Sequence, residues 1–363
     1  MGSMPSSYPR SASAIHGRTV AAVGGTCGPV VRRRRGRRWT QGQERRPRRR
    51  TTMDTTTKDA VVVGVSGPGR ETAALRWAID RARRDRSEVV AVHAFRTALT
   101  GPPPRALLTF AETADMAHWV IKQVGDELAG LTDGTVPFRT LAVAGTPAHV
   151  LVDLGRDARA VVVQHHLPHG LRRLFAGSTA YAVAAHADCP VVSVPADWQP
   201  TTDGPAEVVV GVHEGGVPLA VLEAAFTEAE ATGAPLRVVH AWRLDAVYDD
   251  IITDRVAAEW RTEQQRALTG VVDGLRVRHP AVEVTVEVRH QWPTDVLVDD
   301  SQVASLVVVG RHGPHAFEPA CLGSLARTVV REARSPVMVV PVRPHRDAPQ
   351  DWELVADEIS PQA

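Results

Sequence analysis

The chain repeats itself. Val61-Val62-Val63-Gly64-Val65 returns as Val208-Val209-Val210-Gly211-Val212, an offset of 147 residues (208 − 61). Val92-His93-Ala94-Phe95 returns as Val239-His240-Ala241-Trp242 at the same offset. Gly177-Ser178 returns as Gly323-Ser324, and Pro190-Val191-Val192 as Pro336-Val337-Met338, both at 146. Four matches in unchanged order make a repeat of domain length, so the chain must build one kind of core twice.

Each copy alternates short Val-rich runs with amphipathic stretches. Strands are predicted near 60–65, 88–95, 136–143, 159–164 and 190–194, and again near 207–212, 235–242, 281–288, 305–310 and 336–341. The runs are apolar on both sides of the period-2 pattern, as in strands covered on both faces. Leu75, Ala78, Ile79 and Ala82 follow i, i+3, i+4, i+7 spacing, as do Leu222, Ala225, Phe226 and Ala229, which marks core-facing helices. Second helices are predicted near 106–130 and 252–277. Strand–helix alternation with right-handed crossovers gives an α/β fold: two tandem, doubly wound, five-stranded parallel sheets of Rossmann-like type. The expected boundaries are an Arg-rich extension at 1–58, a first domain at 59–196, a linker at 197–206, a second domain at 207–342 and a tail at 343–363.

In such sheets ligands bind beyond the carboxyl ends of the strands. The run Leu306-Val307-Val308-Val309 leads there into Gly310-Arg311-His312-Gly313, and Gly323-Ser324 follow after nine residues. Glycines let backbone approach an anion, and a helix N-terminus offers free N–H groups and a positive dipole end. Ser324 also fits the N-cap of a helix beginning Leu325-Ala326-Arg327. The spacing G-x-x-G, nine residues, G-S after a buried strand resembles the nucleotide loop of the universal stress protein family, and the resemblance spans roughly residues 59–342. That family implies a five-stranded parallel fold, ATP binding in one branch, with or without Mg, and pairing of domains. It places Gly310, Gly313, Gly323 and Ser324 on the phosphates, with Arg311 neutralising phosphate charge, and the backbone of Ala241 beside the adenine. His240 itself reads as a packed strand histidine. Nucleotide-binding members carry an Asp at the end of the first strand; here His213 stands there and would donate to a nucleotide oxygen.

The first copy is an internal control. Its loop reads Gln164-His165-His166-Leu167-Pro168-His169-Gly170, with Gln164 and Leu167 at the two glycine positions and Ser66 at the Asp position. Side chains there would keep phosphate from the backbone, so this domain is expected to serve as a packing partner without binding ATP. The three histidines invite a metal reading, but adjacent histidines diverge on an extended chain and no Cys or carboxylate stands near them in sequence. Ser66-Gly67-Pro68-Gly69 is faintly similar to the Ser-Gly-Gly loop of ATP pyrophosphatases, but it lacks the second Gly and the Asp-Ser that follow.

The net charge of +1 divides unevenly. Residues 1–52 hold 13 Arg, no Lys and one acid, Glu44, for +12, so the remainder carries 1 − 12 = −11. An acidic folded part is a poor nucleic-acid binder. The Arg-rich stretch, with no apolar period, is expected to be disordered. It reads as a basic arm, as a targeting segment, or as upstream sequence ahead of a start at Met53. Cys27, Cys189 and Cys321 form no C-x-x-C pair, which fits small buried or incidental residues in a reducing cytosol. No apolar run reaches the roughly 18–20 residues needed to span a membrane, and a cytoplasmic location is expected.

There is no Ser-His-Asp triad, paired-carboxylate motif or Walker lysine. The leading expectation is a stress-response protein that binds ATP in its second domain and uses that state to tune interactions with protein partners. At most it would hydrolyse ATP slowly or autophosphorylate, as some relatives do. The alternatives are an ATP-free interaction scaffold of the same fold and, less favoured, an ATP-using enzyme. The two domains are expected to pair within the chain, with a homodimer as a further arrangement.

Overall fold

A computed structural model describes residues 56–96, 110–165, 178–200, 206–212, 219–243, 253–311 and 322–342. The first half contains β1 (Val61–Gly64), α1 (Thr72–Asp85), β2 (Val89–Phe95), α2 (Phe110–Thr132), β3 (Phe138–Ala144), α3 (Pro147–Leu154), β4 (Ala160–His165), α4 (Ser178–His186) and β5 (Val191–Pro195). The second half contains β6 (Val208–Val212), α5 (Leu219–Thr232), β7 (Leu236–Trp242), α6 (Asp254–Arg276), β8 (Val284–His290), α7 (Pro293–Asp300), β9 (Leu306–Gly310), α8 (Ser324–Glu332) and β10 (Val337–Val340). Each predicted strand is present. The largest displacement is β8, which begins three residues later than its apolar pattern suggests. A turn in which the Val282 N–H donates to the His279 carbonyl (3.2 Å) takes up the residues after α6.

The two sets of five strands do not stay separate. They form a single ten-stranded sheet in the order β3-β2-β1-β4-β5-β10-β9-β6-β7-β8. Every pairing is parallel except the central one, where β5 and β10 run antiparallel. There Val192 pairs with Met338, its own repeat equivalent (192 + 146 = 338), flanked by Val191 with Val339 and Ser193 with Val337. This register places a local two-fold axis at the Val192–Met338 pair.

Helices cover both faces, which explains why the strands read as continuous apolar runs. One core layer joins the sheet to α1, α2, α5 and α6, and includes the predicted stripes Leu75–Ala82 and Leu222–Ala229. The other joins it to α3, α4, α7 and α8. The repeated glycines Gly64 and Gly211 serve this packing. A Cβ at either would stand 2.7 Å from a methyl of Leu151 or Leu297 respectively, so glycine lets α3 and α7 sit close to β1 and β6. No helix among the described residues is long and apolar enough to cross a membrane.

Candidate nucleotide site at the carboxyl ends of β6, β7 and β9

The second half places β6 between β9 and β7, all parallel. The chain runs from β6 outward through β7 to β8 on one side, and through β9 to β10 on the other. The carboxyl ends of β6 and β9 therefore flank the switch point where doubly wound sheets bind ligands. Val210 is in register with both Val308 and Val238, so Gly310 and Ala241 lie near one level, two strand spacings apart, about 10 Å. Ala241 and the first turn of α8 belong to the same face of the sheet. The structure thus brings Gly310, Arg311, Gly323, Ser324 and Ala241 to one end of the sheet. His213 and Gly313 lie outside the described residues.

Backbone hydrogen bonds tie the two ends of the loop together. The Arg311 N–H donates to the Val340 carbonyl (2.9 Å), and the Arg311 carbonyl accepts from the Gly323 N–H (3.0 Å). The N-cap of α8 is Gly323 and not Ser324, which is the first helical residue. The cap makes no side-chain hydrogen bond; the Gly323 carbonyl accepts from the Arg327 N–H (2.9 Å) and closes the first turn. Ser324 is exposed. The first-turn amides have no carbonyl four residues back within the helix, and they face the loop end with the positive end of the dipole. Gly323 has φ −55° and ψ 153°, a backbone any residue adopts. The turn therefore does not demand glycine there, whereas close approach of an anion would.

Arg311 departs from the sequence reading. Its guanidinium does not extend toward the loop end. It donates to the carbonyl of Ala187 in the first half, and its Nε is buried without a hydrogen-bond partner among the described residues. Burial pushes its pKa down, opposed by the nearby charge of Asp188. Packing across the seam between the halves, which local sequence does not encode, determines this direction.

His240 is a packed strand histidine. It is buried, and its Nδ1 donates to the Val212 carbonyl (3.2 Å), which ties β7 to the end of β6. His93 repeats the contact with Val65 at 3.1 Å (93 + 147 = 240; 65 + 147 = 212).

Two groups of residues in the second half were not singled out in the sequence. The first is a charged network. Arg237 pairs with Glu207 (2.9 Å), Glu287 (3.3 Å) and Asp300 (3.3 Å); Arg289 pairs with Glu287 (2.7 Å) and Asp300 (3.1 Å). Hydrogen bonding from Arg289 holds the Glu287 carboxyl below the usual range, and the same contact raises the pKa of Arg289. Arg289 is the register partner of Ala241, and its guanidinium turns to Glu287 and Asp300. At the equivalent five positions the first half has Ala60, Val90, Leu141, Val143 and Leu154. The second group is aromatic. The Trp242 ring stacks on His290 at 4.2 Å, Trp260 tilts against Trp242 at 5.4 Å, and the Arg243 guanidinium lies 5.6 Å from the Trp292 ring centre.

At the corresponding end of the first half, side chains bond the β1–α1 connection. Gln164, at the first glycine position, accepts from the Ala74 N–H in the first turn of α1 (3.3 Å) and donates to the Arg70 carbonyl (2.6 Å). Glu71 accepts from the Ser66 N–H (3.0 Å) and hydroxyl (2.6 Å). Glu127 accepts from the Gly69 N–H (2.8 Å) and the Thr72 hydroxyl (2.7 Å). Two carboxylates and an amide thus occupy donors of the β1–α1 connection. The signal for this was Gln164 in a glycine position; the reach of Glu127 from α2 was invisible. His165 is buried with its Nδ1 2.9 Å from the Ser193 hydroxyl, and among the described residues no group of three His, Cys, Asp or Glu could hold a metal ion. His166 and His169 lie outside the described residues.

A mostly parallel, doubly wound sheet covered by helices on both faces defines the Rossmann-like class of α/β proteins. Within that class the chain belongs to the universal stress protein family, whose model matches residues 58–195 and 206–341. It is 30% identical over 298 residues to a universal stress protein of Mycolicibacterium smegmatis, covering 79% of this chain and 99% of that one. It is 27% identical over 301 residues to universal stress protein Rv1996 of Mycobacterium tuberculosis, covering 77% and 94%. Among solved structures, a universal stress protein from Archaeoglobus fulgidus superposes with a TM-score of 0.57 at 14% identity, over 80% of this chain and 98% of the other. That last likeness concerns the fold alone.

Proposed function

We propose that the second half binds ATP and that the first half does not, so that each chain carries one nucleotide site and acts in the stress response through nucleotide-dependent interactions with protein partners. The observation that carries this reading is the contrast between the two halves. At the end of the fourth strand of each copy, one has Gly310 and leads to a helix start without a side-chain cap, and the other has Gln164, whose amide is engaged by the Ala74 N–H and the Arg70 carbonyl. Gly310, Gly323, Ser324 and Gly313 would take the phosphates, Ala241 the adenine edge and His213 a nucleotide oxygen. Mg bound with ATP would rest mainly on phosphate oxygens and water. We read the protein as a cytoplasmic binding module with no catalytic apparatus beyond slow phosphate chemistry.

The test is ATP binding by the full chain in calorimetry or equilibrium dialysis, beside Gly310→Gln, which copies the first half. The parent is expected to bind one ATP per chain and the variant at least roughly tenfold more weakly, because a side chain displaces phosphate from backbone donors. No binding by the parent would sink the reading in favour of a nucleotide-free scaffold. Turnover well above trace levels with a small-molecule acceptor would favour an enzyme.

A further inference from the structure

Arg311 is the residue at which the second half's loop leaves the sheet, and its polar groups run to three different places. The N–H donates to Val340 of β10 and the carbonyl accepts from Gly323 at the start of α8. The guanidinium leaves the second half and donates to the carbonyl of Ala187, which follows the last residue of α4 in the first half. The equivalent residue in the first half is His165 (311 − 146 = 165), whose Nδ1 is hydrogen-bonded to Ser193 of its own half.

We propose that Arg311 is a positioning residue through which the first half holds together the two ends of the phosphate cradle, Gly310 and Gly323–Ser324. This rests on the nucleotide reading of the second half. With its guanidinium anchored on Ala187, the Arg311 peptide cannot turn freely. Its carbonyl stays on the Gly323 N–H, and the first-turn amides of α8 stay aimed where an anion would sit. The half that has lost its own loop thereby supports the loop of its twin. By linkage, nucleotide bound at the cradle must in turn strengthen the seam.

The rival role for Arg311 is direct contact with phosphate, and one substitution separates the two by sign. Asp188 is exposed, belongs to the first half and adjoins Ala187. In the full chain, Asp188→Arg sets a cation beside the Ala187 carbonyl and repels the guanidinium from it. Positioning then predicts ATP binding weaker by roughly tenfold, the worth of one hydrogen bond to a charged group, although the seam has gained positive charge. Direct contact predicts unchanged or tighter binding. Arg311→Ala is expected to weaken ATP to the same degree, and Arg311→Lys, which keeps one donor for Ala187, to recover part of the loss. Affinities by calorimetry are read beside melting temperatures without ligand. Should Arg311→Ala fail to fold, the exposed Asp188→Arg substitution carries the test. Lower melting temperatures with affinities within twofold of the parent would make Arg311 merely structural and overturn the proposal, as would tighter binding by Asp188→Arg. Absence of ATP binding by the parent is a different failure: it removes the site itself.

Discussion

At the scale of single residues, identity decides little until the neighbours are known. Arg311 and His165 occupy equivalent positions, yet one reaches across the seam and the other bonds within its own half. Cys189 shows the same dependence. It is buried beside the seam, and burial pushes its thiol from the ordinary 9.0 up to about 11. Between those values the unfolded chain has lost a proton that the native chain keeps, so native stability is intact below pH 9 and falls as pH rises toward 11. Urea midpoints measured from pH 8 to 11 should fall less steeply for Cys189→Val than for the parent. Equal slopes would show that the thiol is not protected. At pH 8 the folded protein should also resist alkylation at Cys189 in peptide maps, because the thiolate is the reactive form.

At the scale of elements, the two copies of one supersecondary pattern have diverged in chemistry while keeping their geometry. The β7–β8–α7 region carries Arg237, Glu287, Arg289 and Asp300 where β2–β3–α3 carries Val90, Leu141, Val143 and Leu154. Asp300 is buried and depends on two arginines. Removing one partner from a buried ion network leaves an uncompensated charge, whereas replacing the whole network by apolar residues is close to neutral. Arg237→Val should therefore cost about 3 kcal/mol in denaturant unfolding. The joint replacement Glu207→Ala, Arg237→Val, Glu287→Leu, Arg289→Val and Asp300→Leu, which copies the first half, should cost much less than the single change. A joint loss larger than the single one would mean that the network stabilises the edge of the sheet outright.

At the scale of the whole molecule, the seam is a two-fold interface made by halves that are no longer identical. Arg81 and Glu228 are repeat equivalents (81 + 147 = 228), and they meet as a buried ion pair, with Arg81 also holding Asp85 at 2.6 Å. In a pair of identical domains this position would face its own copy, Arg against Arg or Glu against Glu. A tandem chain can place opposite charges there. Glu228→Arg alone should cost about 3 kcal/mol, because it buries like charges at the axis. Adding Arg81→Glu should restore part of that loss, incompletely because the introduced carboxylate would then adjoin Asp85. A double variant no more stable than the sum of the singles predicts would remove the pair from the account of the seam.

How much of this was legible in the sequence follows from the range over which each feature is determined. Val-rich runs and 3.6-period stripes are local, and a strand covered on both faces has no other way to read, so the ten strands, the repeat and the α/β class were set by sequence alone. The glycine loop was legible for the same reason: Gly310-x-x-Gly313 and Gly323-Ser324 form a pattern within one short segment, and Gln164 departs from it in the first copy. The tertiary structure decided what depends on residues far apart in the chain. It joined two five-stranded sets into one sheet through β5 and β10, moved the helix cap from Ser324 to Gly323, and brought five charges into one network. It also set the Arg311 guanidinium on the Ala187 carbonyl, a contact between residues 124 apart that no local pattern announces. Periodicity fixes which face a side chain takes, but only the packed neighbours fix what it meets there.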